Sequence, residues 1–506
     1  MASWTDPTAF AQVWATAVAS RPDDTFLIFE APNGHVTSWT YCEFDAVVSR
    51  MATELARREV RSGASVHLAL TNSPTFIAVW LATVRLGGWI VASDPMGRTD
   101  ELADHIERTS PVAGFFGHDR VDVYPHTRRE FARFPIDETD AEFSWLPAES
   151  FTDWPTLTPR DRAAVMFTSG TTGRPKGVEV TQANYSFAGK IMAEACELTA
   201  ADRYLVVLPL FHANAQYYSF ASAIWAGASV ALMPSFSASG FLSQAARHDA
   251  TCASLFAAPI RMILARGGPV GGLRLRHCWF AQNLSADQYA TVADWFGCEP
   301  RQLYGMTETI PAVLTDEADA PLHDVMGYVT RGCEVEIQDA DGKRVPDGEI
   351  GEVVVRGERG ITLFAGYLDE SETTAANFRD GWFLTGDRAS CDAGRFAFDG
   401  RRSDVLKVAG ENVSTVEVEA VLTAHPQVLE ASVVGAPDPI RDEVPIAYVV
   451  AADPTNPPNI DDLADWCRAR LAKAKQPREF SLLEELPRTS VGKIRKFVLK
   501  EEAAAL

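Results

Sequence analysis

Residues 165–178 read V-M-F-T-S-G-T-T-G-R-P-K-G-V. The first positions are apolar and suit a buried strand. The chain then breaks into Thr168, Ser169, Gly170, Thr171, Thr172 and Gly173 before closing on Lys176 and Gly177. Glycines let the backbone approach a bulky anion closely. Hydroxyls and main-chain N–H groups offer donors to phosphate oxygens, and Arg174 and Lys176 add positive charge. The G-x-x-x-x-G-K-[ST] phosphate loop does not fit. Counting from Gly170, its second glycine would fall on Pro175, and Lys176 is followed by Gly177. A surface turn has a similar composition, so the meaning of the stretch depends on what flanks it.

Toward the N-terminus, residues 6–21 and 41–58 carry apolar residues at helical spacing. Thr40 with Glu43 three residues on predicts a capping box for the second helix. Residues 66–70 read as a strand, 73–86 as a helix and 89–92 as the next strand, a rhythm that implies a parallel sheet. Residues 118–161 are rich in Asp, Pro and Arg and read as irregular. Beyond the loop the rhythm resumes, with helices over 184–196 and 211–226 and strands over 204–208, 229–233 and 252–256, the last two separated by residues 241–247. Short alternating strands follow at 335–338, 351–356, 382–385 and 395–399, and residues 400–403 look like a linker. The remainder reads as an α+β unit with helices at 416–424 and 463–474 and strands at 428–434 and 446–451. Glu417 and Glu419 are expected on solvated helix faces. The fold class is therefore α/β. A large N-terminal domain, residues 1–401, holds two α/β lobes and a small β region, and a small mobile α+β domain occupies 402–506.

A chain of 506 residues is too long for one ordinary core. Its 46% hydrophobic and 23% charged residues are those of a soluble globular protein. A formal net charge of −22 without a basic stripe argues against nucleic acid as a partner. The eight cysteines are scattered with no C-x-x-C pair, which reads as reduced thiols. No run of about 18 apolar residues occurs, and residues 1–7 open without a basic segment and apolar core. The expectation is a cytoplasmic protein with no membrane partner; a homodimer is admitted.

Five more segments follow the loop in order: Y-G-M-T-E at 304–308, T-G-D at 385–387, G-R-R-S-D at 400–404, A-G-E-N at 409–412 and P-R-T-S-V-G-K at 487–493. Together these six segments resemble the adenylate-forming superfamily, which includes acyl-CoA synthetases, luciferases and stand-alone adenylation domains. The resemblance covers nearly the whole chain. It implies ATP, Mg²⁺ and CoA as cofactors and assigns expected roles. Glu308 is similar to the glutamate that holds magnesium, a hard oxygen ligand for a hard ion. Thr307 matches the threonine that bonds the α-phosphate, and Lys176 closes the phosphate loop. Tyr304 is expected to stack on adenine, and Asp387, assisted by Arg401, to accept from the ribose hydroxyls. Lys493 matches the catalytic lysine of a swinging C-terminal domain, Gly410 the glycine lining the pantetheine tunnel. Ser403 stands at the hinge, where Asp or Lys is usual.

The acid is less legible. Phe211, His212, Gln216 and Tyr217 match the segment that walls the acyl pocket, with His212 as its gate. Phe280 and Ala281, with Trp279, are further wall candidates. Ala281-Gln282-Asn283-Leu284 stands where G-G-A-P is common, which puts the pocket's shape in question. N-L-S at 283–285, Y-G-M-T-E-T-I at 304–310, G-E-N-V-S at 410–414 and P-x-x-I-R-D-E at 437–443 look most like the crotonobetaine/carnitine-CoA ligase-like branch. The resemblance implies an acid–CoA ligase acting on a small carboxylic or other small acid. The alternatives are an adenylating enzyme whose acceptor is a carrier-protein phosphopantetheine or an amine, including one activating nitrite for diazotisation, and an inactive nucleotide-binding module.

Overall fold

The computed structural model describes the chain except residues 1–3, 5, 128–129, 169–174, 317–318, 320, 402–403, 409–410, 439–440, 489–493 and 505–506. Among the described residues the strands form four sheets. The widest has nine strands. Its six central ones, Arg301–Tyr304, His277–Ala281, Cys252–Phe256, Arg203–Val206, Ser229–Leu232 and Thr25–Glu30, are all parallel. The second has seven strands, with Arg162–Thr168, Trp89–Ala92, Ser65–Ala69, Ala113–Gly117 and Ala132–Ile136 parallel. Lys176–Thr181 and Gly366–Tyr367 close its other edge in antiparallel pairing. A five-stranded antiparallel region and a five-stranded C-terminal sheet follow.

Helices lie between the two parallel sheets, and the apolar pattern explains why. Every residue of Pro74–Arg85 up to Val84 is buried, so this helix needs apolar neighbours on all sides. It is launched by Ser73, whose Oγ accepts from the Phe76 N–H (3.3 Å), with Pro74 in the first turn. Around it Phe10, Trp14, Phe26, Trp80, Tyr185 and Phe220 pack as a continuous aromatic layer. The outer face of the wide sheet is covered separately by Phe241–Arg247, Ala257–Arg266 and Ala286–Phe296. Thr99–Thr109 covers the outer face of the seven-stranded sheet. The result is five alternating layers of helix and sheet.

The predicted box at Thr40 is formed: Glu43 N–H donates to Thr40 Oγ1 (3.2 Å) and Thr40 N–H to Glu43 Oε2 (2.8 Å). Four expectations need correction. Residues 118–161 are not wholly irregular, because Ala132–Ile136 adds an edge strand to the seven-stranded sheet. The helix expected over 211–226 begins at Asn214 and is wound as a π-helix to Ala221 before Ser222–Ala226 continues as α. Gly400 and Arg401, expected in a linker over 400–403, instead belong to strand Arg395–Arg401 and pair with Arg388 and Asp387; residues 402–403 lie outside the described ones. Glu419 is not on a solvated face. Its side chain is 18% exposed, accepts from Val433 N–H (2.7 Å) and ion-pairs with Lys496 (2.9 Å). Glu417 does face solvent, paired with Lys475.

Candidate active site

Strand Arg301–Tyr304 runs into Gly305, where a Cβ would meet Ala312 Cα and the Pro311 carbonyl oxygen at 2.9 Å. Only glycine lets the chain turn that tightly against a neighbouring backbone. The turn delivers Thr307 and Glu308 on a short 3₁₀ segment, Thr307–Thr309. Glu308 is 4% exposed, and its Oε1 accepts from the Tyr367 hydroxyl (3.0 Å). Burial raises its pKa, opposed by the Tyr367 hydrogen bond and by the charges of Lys176 and Arg401. Lys176 opens its strand and sets its ammonium 4.7 Å from the Tyr367 ring centroid. Tyr367 pairs in register with Val178, two residues along the same strand. Tyr367 thus joins the loop's lysine to the acid of Y-G-M-T-E, a role that no motif in the sequence reading flagged.

A second cluster adjoins the first. Tyr304 Oη donates to Asp387 Oδ2 (2.7 Å), and Arg401 Nε donates to Asp387 Oδ1 (2.9 Å). Asp387 is 3% exposed, and its amide donates to Thr385 Oγ1 (3.1 Å). Asp387 and Arg401 are register partners on neighbouring strands. Three residues far apart in sequence are therefore brought together. A carboxylate accepts at about four lone-pair positions, so each oxygen keeps capacity for another donor.

The two strands that carry the phosphate loop form an antiparallel hairpin in which Thr168 pairs with Lys176. Ser169, Gly170, Thr171, Thr172 and Gly173 lie outside the described residues. The hairpin's exit is held by Arg108, which was not singled out from the sequence. Its Nη1 donates to the Pro175 carbonyl (2.7 Å), its Nη2 meets Glu370 (3.2 Å), and its guanidinium lies 4.8 Å from the Phe167 ring centroid. His105, one turn earlier on the same helix, stacks on Phe167 at 3.8 Å between centroids. Its Nδ1 continues a buried chain through Ser93 Oγ (2.8 Å) and His67 (3.0 Å) to Tyr124 Oη (2.7 Å).

The pocket-wall candidates divide. Strand alternation sends Trp279 and Ala281 toward the inner helices, while Phe280 points into the outer core beside Phe241 and Phe296. Phe280 is thus on the opposite face from its two neighbours. Phe211 is buried, and its ring lies 4.4 Å from that of His212. Gln216 is fully buried and structurally engaged: it accepts from Tyr185 Oη and donates to the Leu210 carbonyl (2.6 Å). Tyr217 lies in the same π-wound turns with its ring 5.5 Å from that of Tyr185. Gln282 holds φ +73°, the region favouring the glycine it replaces. Asn283 steadies the segment, accepting from Gln302 Nε2 at its side chain (3.0 Å) and from Arg261 at its carbonyl (2.8 Å).

Lys493, Gly410 and Ser403 lie outside the described residues. The residues around 489–493 are placed: Arg488 bridges Ile494, and Arg495 N–H donates to the Pro487 carbonyl (2.7 Å). Arg495 acts electrostatically on Glu101, and Arg488 with Glu430 on Arg261.

Among the described residues no group of three His, Cys, Asp or Glu gathers as a metal cage. Glu308 is a buried carboxylate within electrostatic reach of Lys176, at the loop's exit. That donor set fits Mg²⁺, which takes one or two carboxylates and completes its shell with substrate phosphates and water.

Comparison with known proteins gives this geometry its context. The profile of AMP-binding enzymes matches residues 14–368, and that of the AMP-binding enzyme C-terminal domain matches 417–493. A crotonobetaine/carnitine–CoA ligase of Salmonella arizonae is 32% identical, with 97% of this chain and 98% of that protein covered. The anthranilate CoA ligase solved with anthranoyl-AMP superposes with a TM-score of 0.88 at 25% identity, covering 100% of both chains. The O-succinylbenzoate coenzyme A synthetase of Bacillus subtilis solved with AMP gives 0.84 at 28%, covering 98% of both. Ordered motifs, layered sheets and matched length agree, and the chain belongs to the AMP-binding enzyme family.

Proposed function

We propose that the protein is an AMP-forming acid–CoA ligase. The observation that carries this is the adjacency of two clusters, Lys176–Tyr367–Glu308 and Tyr304–Asp387–Arg401, joined by the turn from Tyr304 to Glu308. The CoA-ligase relatives support the thioester product. In the first half-reaction a carboxylate oxygen of the acid attacks the α-phosphorus of ATP, the bond to pyrophosphate breaks, and an acyl-adenylate forms. In the second, the CoA thiol gives up its proton and its sulfur attacks the acyl carbonyl; AMP leaves.

Each cluster has a part. Asp387 accepts from the ribose hydroxyls while Tyr304 and Arg401 hold its carboxylate in one orientation. Thr307 bonds the α-phosphate. Lys176 and the loop hydroxyls of residues 168–173 face the departing phosphates. Glu308 holds Mg²⁺, which when bound neutralises charge on those phosphates. Tyr367 fixes the Glu308 carboxylate by hydrogen bonding one of its oxygens. Lys493 offsets repulsion between the two reacting anions as charge develops. It belongs to a C-terminal domain, residues 402–506, that swings about the segment after Arg401 and brings Gly410 to the pantetheine in its place.

The test is pyrophosphate release over a panel of acids, with and without CoA, followed by identification of the product. Acid-dependent release with an acyl-CoA product is expected. Release that responds to nitrite alone, or adenylate that passes only to an amine or a carrier protein, overturns CoA as the acceptor.

A further inference from the structure

Buried polar atoms are nearly always paired, and an unpaired one costs about 1–3 kcal/mol. Against that rule, five side-chain atoms on adjoining elements are buried and without a partner: Tyr217 Oη, Asn214 Oδ1 and Nδ2, Ser254 Oγ and Trp279 Nε1. Their residues are 0%, 6%, 3% and 0% exposed in that order. Asn214 and Tyr217 sit in the π-wound turns, which pack on strand Cys252–Phe256. π-Turns inside helices concentrate at functional sites. Ser254 is in register with Trp279 on the next strand. Alternation turns Trp279 and Ser254 inward, since Cys252 and Trp279 belong to the inner core whereas Ala253, Leu255 and Phe280 belong to the outer one.

This polar strip reaches the reacting centre. Tyr218, the residue after Tyr217, sets its hydroxyl 2.7 Å from the place a Cβ on Gly305 would take, beside the turn that carries Thr307 and Glu308, and the charge of Glu308 acts on the Tyr217 hydroxyl. All five atoms are neutral, and they include both donors and acceptors. A wholly apolar acyl chain would leave every one unpaired. A trimethylammonium group carries no N–H or O–H to offer and no lone pair to accept with, so it too would leave the five atoms unpaired. Tyr185, Tyr217 and Trp279 are fully buried, and the Tyr185 and Tyr217 rings stand 5.5 Å apart, so large side chains crowd the strip and favour a compact acid. We propose that the acid accepted here is a compact carboxylic acid bearing an uncharged hydroxyl or amino group, selected by Tyr217, Asn214, Ser254 and Trp279. This deepens, and rests on, the acid-activating reading above.

The experiment compares kcat/KM for pyrophosphate release across matched acids: benzoate against its hydroxy and amino derivatives, butyrate against 4-hydroxybutyrate, and 4-trimethylammoniobutyrate. The wild type is expected to favour the substituted member by roughly tenfold or more. Tyr217→Phe and Ser254→Ala each delete one oxygen. They should shrink that preference by about tenfold by lowering kcat/KM on the substituted acid more than on the plain one, and keep or raise Tm, because an unpaired buried hydroxyl is gone. A wild-type ratio near one overturns the inference, as does preference for the plain or trimethylammonio acid, or equal loss on both members of a pair. Water filling the strip would give that last pattern or none. Should no acid turn over, the same acids are scored with ATP by their upward shift of Tm. A substituent-selective shift lost in Tyr217→Phe upholds the pocket while the ligase reading falls; no selective shift overturns both.

Discussion

Asp387 serves two neighbours before any ligand arrives, with Tyr304 on one oxygen and Arg401 on the other. Asp387→Ala therefore removes the proposed acceptor for ribose and also strands a Tyr304 hydroxyl. The apparent KM for ATP should rise steeply, since two charge-assisted hydrogen bonds are worth on the order of 2–4 kcal/mol. Initial rates against ATP concentration measure this, and an unchanged KM would place Asp387 outside the nucleotide site. A different residue pair governs acid stability. Burial depresses His67 to about 3 and His105 to about 4, with the charge on the other histidine adding to the effect on His67. Both are neutral in the fold, so they bind fewer protons there than in the unfolded chain, where histidine titrates near 6.5. Their contribution is fully present above about pH 6.5 and is lost as pH falls toward those folded values. While both sites are neutral in the fold and protonated in the unfolded chain, the loss approaches about 2.7 kcal/mol per pH unit. Urea unfolding of His105→Asn between pH 7 and 4.5 should show a shallower decline than the wild type. An identical slope would mean the buried chain to Tyr124 does not hold in solution.

Arg108 shows how an element far from any motif shapes the site. Helix Thr99–Thr109 buries only Leu102, His105, Ile106 and Thr109, yet through Arg108 it grips the exit of the phosphate hairpin and the turn after Tyr367. Arg108→Ala should raise the KM for ATP about tenfold with little change in Tm. Arg108→Lys should recover only part, because one ammonium does not reproduce a fork that reaches Pro175 and Glu370 together. A drop in Tm without a change in KM would make the residue merely structural. Elements announced by local chemistry were legible in the sequence: Thr40 and Glu43 capped their helix, and strands at 89–92 and 252–256 fall where their apolar runs lie. Elements whose shape is set by distant partners were not. Ala132–Ile136 contains Pro135, tolerable at a sheet edge and misleading in isolation. The π-winding at Asn214 accompanies a Gln216 side chain bonded to the Leu210 carbonyl and Tyr185, a tertiary fact. Phe280 was read by bulk, when its parity along the strand decides its face. The family could be recognised because the order of its motifs carried the signal; Tyr367 and Arg108, which contact residues of those motifs or their flanks, have no spacing to betray them.

At the scale of the whole chain, one half-reaction needs a cation that the other does not. Lys493→Ala should abolish adenylate formation from acid and ATP, yet keep most thioester formation from supplied acyl-adenylate and CoA. Stopped assays of each half-reaction on a folded variant measure this. Equal loss of both would mean the domains do not alternate, and loss of neither would leave Lys493 a surface charge. The position of Arg401 adds a further consequence. It is the last residue of strand Arg395–Arg401, and it grips Asp387 at the point where the chain leaves for the C-terminal sheet. If the C-terminal domain rotates as proposed, a bound nucleotide that stiffens Asp387 also stiffens the Arg401 end of its strand, and domain orientation and nucleotide occupancy become two readings of one equilibrium. Coupling of this kind is reciprocal. Whatever factor the nucleotide exerts on the orientation, a substitution that fixes the orientation must return to nucleotide affinity, with no contact to the nucleotide itself.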